Sequence, residues 1–323
     1  MRKIGVFTSG GDSPGMNPCI RAVVRSGLHY GMQVVGIKHG YRGMIKGEFA
    51  NMNARSVGNI LQRGGTILKS SRSEEFRTVE GRKKAYENLK KHNIDGLVAI
   101  GGNGTFAGAL ALHQEYQIPV IGIPGTIDND LHGTDFTLGF DTALDTVIDA
   151  LDKIRDTADS HNRVFFVEVM GRDSGFIALI SGLAGGAESI LIPEMDDDVL
   201  NLIKTLNKAL KRKKSSHIVM VAEGDEEGGA FQIADRVKRE FRELDCRVVV
   251  LGHIQRGGSP SCNDRLLGTR LGVAAVEGLM RGEKNVMVGQ IHNDVVYTPL
   301  TEAIKNSHKI DKNLFRLIDI MAK

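Results

Sequence analysis
Seven short apolar runs, at 4–7, 34–37, 96–100, 120–123, 164–169, 218–222 and 248–251, alternate with stretches of helical period along the chain. The helical spacing covers 17–30, 82–91, 106–116, 141–157, 198–211 and 235–244. A short apolar run bounded by turn residues makes a strand buried on both faces, and apolar residues every third or fourth position make a helix with one buried side. Their alternation predicts an α/β fold of doubly wound, Rossmann-like lobes with mainly parallel sheets, covered by helices on both faces. A chain of 323 residues is long enough for two such lobes. Ligands of such sheets bind beyond the carboxyl ends of the strands, so chemistry is sought in the loops there.

Charge and cysteine usage narrow the class of partner. A net charge of +3 gives no field for nucleic acid or a membrane surface, and the one basic run, 211–214, has the ordinary explanation of a solvated helix end. Cys19, Cys246 and Cys262 form no CxxC pair, which argues against a disulfide framework or structural zinc and for a reducing compartment. The chain starts directly in a strand-like run, and no segment approaches the ~18 apolar residues of a membrane span. A soluble, cytoplasmic protein is expected.

Three glycine- or aspartate-rich loops follow strand-like runs. Thr8-Ser9-Gly10-Gly11-Asp12-Ser13-Pro14-Gly15-Met16-Asn17 leads into a helix, and Gly101-Gly102-Asn103-Gly104-Thr105 leads into another. Small residues bare the backbone N–H groups and the helix dipole favours an anion, so each loop can cradle a phosphate or can simply be a tight turn. Neither ends in the GKS/T of a Walker A loop. Two such cradles favour a polyphosphate ligand. The third loop, Pro124-Gly125-Thr126-Ile127-Asp128-Asn129-Asp130, carries two carboxylates two residues apart at a strand end, a pairing that can supply a general base and a charge that tunes it or helps to hold a metal. Met170-Gly171-Arg172 and Gly252-His253-Ile254-Gln255-Arg256-Gly257-Gly258-Ser259 set arginines among glycines, and Arg72 and Arg163 are further cations in polar stretches. Arginine clamps phosphate bidentately, so the set suits phosphoryl transfer, in which positioning and charge stabilisation do most of the catalysis.

These five segments, in this order and spacing, resemble the bacterial ATP-dependent 6-phosphofructokinases, and the likeness runs from about residue 3 to about residue 311. The resemblance implies the phosphofructokinase fold, with one lobe at 1–138 plus 252–304 for the nucleotide. The other lobe, at 139–251 plus 305–323, would take the sugar phosphate and effector. It implies that Asp128 is the base for the 1-hydroxyl of fructose 6-phosphate, with Thr126, Arg72 and Arg172 steadying the phosphoryl group. Met170, Gly171, Glu223, His253 and Arg256 would hold the sugar, and Arg163 and Arg247 would reach a neighbouring subunit's sugar phosphate in a homotetramer with shared active sites. Gly11, Tyr41, Arg72, Arg77, Arg82, Gly102, Gly104, Thr105 and Gly108 fall at positions that bind ATP, and Mg²⁺ is the implied cofactor.

Two departures from the family pattern matter. Asn103 replaces the usual metal-associated aspartate and lacks the charge a hard cation prefers, which leaves the metal to ATP's own phosphates and water with Asp128 or Asp130 helping, and opens the alternative of a weakly active or regulatory paralogue. Arg21, Arg25, Arg155, Glu188, Arg212 and Lys214 match an effector site for ADP or phosphoenolpyruvate, whereas Ala54, Gly58 and Ser216 depart from it. Glycine at both 104 and 125 favours ATP over pyrophosphate, whose users carry aspartate and lysine there. A GGDG-like loop also occurs in NAD kinases and lipid kinases, but the 126–130 and 253–256 segments set this chain apart from them.

Overall fold
The structure, a computed structural model, describes residues 1–161, 163–195, 199–211, 216–226 and 228–321. In chain order the elements are β1 (Lys3–Thr8), α1 (Met16–His29), β2 (Gln33–Ile37), α2 (Gly40–Lys46), β3 (Phe49–Met52), α3 (Val79–Lys91), β4 (Gly96–Gly101), α4 (Asn103–Tyr116) and β5 (Val120–Pro124). They continue with α5 (Phe140–His161), β6 (Val164–Val169), α6 (Phe176–Ala184), β7 (Ser189–Leu191), α7 (Val199–Lys211), β8 (His217–Ala222), α8 (Ala230–Glu240) and β9 (Cys246–Val250). The last are α9 (Cys262–Arg281), β10 (Val286–Ile291), β11 (Asp294–Pro299), α10 (Leu300–Lys305) and α11 (Lys312–Met321).

The chain divides into two compact units. Unit 1 comprises Met1–Ile127, Leu131–Thr142 and Arg256–His308; unit 2 comprises Asp128–Asp130, Ala143–Gln255 and Lys309–Lys323. Unit 1 holds a seven-stranded sheet in the order β11-β10-β5-β4-β1-β2-β3, parallel except for β11 and β3 at its edges. Alternate residues of β1 face opposite layers: Ile4 and Val6 join one core with α1 and α9, and Phe7 joins the other with Tyr41, Phe76 and Phe106. Unit 2 holds a parallel sheet in the order β7-β8-β6-β9. Val164, Phe166, Val219 and Val221 pack there against Leu202 and Leu206 of α7 and Ile233 and Val237 of α8.

Helix boundaries differ from the sequence spacing where backbone caps override periodicity. α4 starts three residues early, at Asn103, because the extended Gly102 offers its carbonyl to the N–H groups of Thr105 and Phe106. α8 starts at Ala230, whose N–H is taken by the Glu168 carboxylate at 2.7 Å. Of the elements periodicity passes over, α9 is the most consequential, since it packs directly on α1. A Cβ on Gly268 would stand 2.9 Å from the Gly15 carbonyl, and one on Gly272 would stand 2.8 Å from the Cys19 carbonyl. Glycines four apart thus let the two backbones touch and seat the start of α1. The β10–β11 hairpin turns at His292 and Asn293, both at positive φ, so Asn293 between apolar runs was the usable signal.

Candidate active site
In unit 1, β1 has β4 on one side and β2 on the other, so the direction of winding reverses between β1 and β4. A doubly wound sheet opens its ligand crevice at this reversal. The loops after these two strands are the two glycine loops read from the sequence. Gly10 (φ 83) and Gly15 (φ 96) take the left-handed backbone that lets the first loop fold tightly before α1. The loops are locked together, since Thr105 Oγ1 donates to the Ser9 carbonyl at 3.1 Å and Gly125 N donates to the Gly101 carbonyl at 3.0 Å. A Cβ on Gly102 would stand 3.8 Å from Thr126 Cβ, so Thr126, after β5, borders the same crevice. Arg256 lies over the first loop, donating to the Asp12 carbonyl at 3.3 Å, and a Cβ on Gly11 would come 2.4 Å from its Nη1. Beside Gly10 and Gly11 opens a cavity of about 740 Å³, whose other wall is the 63–70 segment.

The remaining nucleotide-position residues are a buried wall and three arginines that differ in how they are held. Tyr41 is buried, stacks on Phe76 at 3.9 Å between centroids, and donates to the Thr105 carbonyl at 2.5 Å; burial pushes its phenol far up. A Cβ on Gly108 would meet the Tyr41 ring at 2.8 Å, so Tyr41 supports α4 from beneath. Arg82 is engaged bidentately by Glu115, with Nη2 at 2.6 Å from Oε1, and also holds the Phe76 and Arg77 carbonyls. That hydrogen bond raises the arginine's pKa and lowers that of Glu115. Arg77 is exposed and pairs with Glu74 at 3.3 Å, whereas Arg72 is exposed with no carboxylate partner among the described residues. Sequence reasoning missed Asn17. This buried amide donates to the Arg63 and Gly64 carbonyls and accepts from Ile67 N, which ties the 63–67 segment to the start of α1.

In unit 2, Asp128 is 4% exposed and its Oδ2 lies 3.9 Å from Arg172 Nε. Ser174 Oγ donates to the Asp128 carbonyl at 3.0 Å. Asn129 (φ 51), a residue type that tolerates left-handed backbone, and Arg172 (φ 53), which does not favour it, both hold it here; the arginine's cost is of the kind that persists where surroundings over-determine a site. Glu223 shapes this corner: its Oε1 accepts from Arg172 N at 2.9 Å and from Gly171 N at 3.3 Å. Met170 N donates to the buried Gln255, a second residue missed in sequence, while His253 is exposed. Burial first, and the neighbouring Asp128 charge second, push the Asp130 carboxyl above its ordinary range. Asp245 bridges the two arginines assigned to a neighbour's sugar, with Arg163 Nε at 2.7 Å and Arg247 Nε at 2.9 Å, and its carboxyl is held low chiefly by Arg163.

The phosphofructokinase family model matches residues 3–279. The chain belongs to the phosphofructokinase family. It is 56% identical over 319 residues to the ATP-dependent 6-phosphofructokinase of Cytophaga hutchinsonii, covering 99% of this chain and 97% of the relative. It is also 56% identical over 322 residues to ATP-dependent 6-phosphofructokinase 1 of Thermus thermophilus, with both chains fully covered. Among solved structures, phosphofructokinase of Saccharomyces cerevisiae superposes with a TM-score of 0.89 at 35% identity over 100% of this chain, which spans 47% of the yeast chain. A pyrophosphate-dependent phosphofructokinase from Marinobacter aquaeolei superposes with a TM-score of 0.87 at 20% identity, covering all of this chain and 92% of that one, a likeness of fold.

The family's implied metal is tested by the donors present. Among the described residues, no three His, Cys, Asp or Glu side chains gather as an ion-binding group. Asn103, in the first turn of α4, and Asp130, in unit 2, are single oxygen donors. A hard divalent ion that is already held by nucleotide phosphates and water asks little of the protein, and an amide or carboxylate oxygen is of the type it takes. Of the effector positions, Arg21 and Arg25 lie on α1 in unit 1. In unit 2 Arg155 stands 3.8 Å from Glu188 and donates to the Gly185 and Gly186 carbonyls. Arg212 and Lys214 lie outside the described residues. Among those that are described, no helix is long and apolar enough to cross a membrane.

Proposed function
We propose that this chain phosphorylates fructose 6-phosphate to fructose 1,6-bisphosphate with ATP, the committing phosphorylation of glycolysis. The observation that carries the reading is the meeting of both glycine loops and Thr126 at the winding reversal, with Asp128 two residues further along the chain. ATP places its phosphates against the N–H groups of the two loops. Asp128 takes the proton of the sugar's 1-hydroxyl, and that oxygen forms a bond to the γ-phosphorus as the bridging bond to ADP breaks. Arg72, Arg172 and Thr126 bear the charge of the phosphoryl group in flight. Asn103 and Asp130 would be the protein's oxygen donors to a Mg²⁺ held chiefly by ATP, which would supply positive charge against the phosphates. Met170, Gly171, Glu223, His253 and Arg256 hold the sugar phosphate.

ATP rather than pyrophosphate suits the space at 104 and 125. A Cβ on Gly104 meets nothing within 4 Å, which leaves room at the start of α4 for a bulky nucleotide phosphate. A Cβ on Gly125 would crowd Ile100 and Met16 at 3.1 Å, so a lysine there needs a different wall. The enzyme works in the cytoplasm as a homotetramer, in which Arg163 and Arg247 reach the sugar phosphate of a neighbouring subunit. ADP or phosphoenolpyruvate acts through the basic positions Arg21, Arg25, Arg155, Arg212 and Lys214 with Glu188. The deciding experiment supplies purified protein, fructose 6-phosphate and Mg²⁺ with either ATP or pyrophosphate. Formation of the 1,6-bisphosphate from ATP is expected, and turnover with pyrophosphate only would reverse the donor assignment.

A further inference from the structure
Two cationic side chains among the described residues hang from left-handed backbone: Arg172 (φ 53), already placed beside Asp128, and Lys69 (φ 61). Most other non-glycine residues of positive φ are asparagine or histidine, which tolerate that region. A lysine gains nothing local from it, and a glycine would hold the same turn without strain. The strain at Lys69 is enforced from outside. Its carbonyl accepts from Thr8 Oγ1 at 2.9 Å, its N–H donates to the Thr66 carbonyl at 3.2 Å, and the next residue, Ser70, hydrogen-bonds the Gly10 carbonyl. Lys69 is thereby pinned to the end of β1, next to the Gly10-Gly11 turn, and lines the cavity of about 740 Å³ beside that turn.

The charge of that cavity is net positive. Arg63 and Lys69 line it with no carboxylate partner among the described residues, and Asp12 is the one acid in its wall. We propose that Lys69 is a further phosphate-contacting residue, whose ammonium binds the terminal phosphates of the donor where they lie against Gly10 and Gly11. A compact ammonium on a flexible stem suits a group that must follow a phosphate through transfer, and the backbone cost is kept because the charge is needed there. The inference rests on the proposed reading only for the identity of the donor, since the cavity's preference for a polyphosphate does not depend on the acceptor sugar.

The test uses the full chain with Lys69→Gly and Lys69→Asn, which both suit the backbone, and Lys69→Arg, which keeps the charge. Binding of inorganic tripolyphosphate is measured by calorimetry, alongside melting temperature and the KM for ATP and for fructose 6-phosphate. The two neutral variants are expected to bind tripolyphosphate about 10-fold more weakly and to raise the KM for ATP similarly, as for the loss of one charged hydrogen bond. Lys69→Gly should melt about 2 °C or more higher, and Lys69→Arg should bind within about threefold of the parent. Tripolyphosphate affinity that is unchanged in both neutral variants overturns the proposal, whatever the melting temperatures do. So does a parent protein that fails to bind tripolyphosphate. Lysine-dependent binding in a protein that does not phosphorylate fructose 6-phosphate would sustain this inference while defeating the proposed reaction.

Discussion

Arg172 Nε stands 3.9 Å from Asp128 Oδ2, close enough to steer the carboxylate but beyond a hydrogen bond. In the proposed reaction this carboxylate takes the sugar's proton, with the guanidinium near enough to bear phosphoryl charge. Asp128→Asn should lower kcat by about 10²- to 10⁴-fold, the usual weight of a general base, with the KM for fructose 6-phosphate within about threefold. Steady-state kinetics on the folded variant decide it. A variant with normal kcat would remove Asp128 from proton transfer.

Gly11 has ordinary backbone, so alanine there costs little in folding; its methyl would meet the mobile end of Arg256 at 2.4 Å. The guanidinium has to leave the first glycine loop. Gly11→Ala should melt within a degree or two of the parent yet lose about 10-fold or more in kcat/KM, because in the proposed reaction the same loop receives phosphate. Parental kinetics would show that the Arg256 position over this loop is incidental.

Asn103 occupies the first turn of α4, where a carboxylate meets the positive end of the helix dipole. Asn103→Asp should lower the Mg²⁺ concentration for half-maximal activity severalfold and change the limiting rate by less than about 10-fold. A rise of several orders of magnitude from an almost inactive parent would instead identify a chain that binds ligands without much turnover. Titration of Mg²⁺ at saturating ATP and fructose 6-phosphate separates the two.

Asp264 caps α5 from α9: its carboxylate accepts from Gly139 N at 2.7 Å, from Thr142 N at 2.9 Å and from Thr142 Oγ1 at 2.5 Å. Burial nevertheless outweighs these bonds and pushes its carboxyl up to about 6 from 3.8. A folded-state value above the unfolded one means that the native protein binds the proton more tightly, so this group adds stability as pH falls from about 6 toward about 4 and loses it on the way back up. The stability of the parent relative to Asp264→Asn, measured by urea unfolding, should increase by up to about 3 kcal/mol between pH 7 and pH 4. A difference that stays flat with pH would contradict the assignment.

Much of the fold was legible because its signals are local. Short apolar runs mark β1, β2, β4 and β5 of one sheet and β6, β8 and β9 of the other, and glycine loops directly after β1 and β4 mark the crevice without reference to any distant residue. The neighbourhood of Thr126 and Asp128 was legible for the same reason, since both sit in one loop directly after β5. Elements held by distant partners were not. α9 lacks a one-sided apolar stripe because Gly268 and Gly272 pack on α1 as bare backbone, and this contact exists only once both helices are in place.

The linear order of residues was enough to place the chemically distinctive groups on the chain: an aspartate pair after a strand, two glycine turns and a scatter of arginines. Folding decided how those groups are deployed, because a side chain's role depends on neighbours that the chain brings from far away. Glu115 occupies Arg82, thirty-three positions along, and Asp245 gathers Arg163 from eighty-two positions away. Thr8 holds the left-handed Lys69 from sixty-one positions off, so this lysine lines the cavity beside the first glycine loop, a placement that no local signal gives.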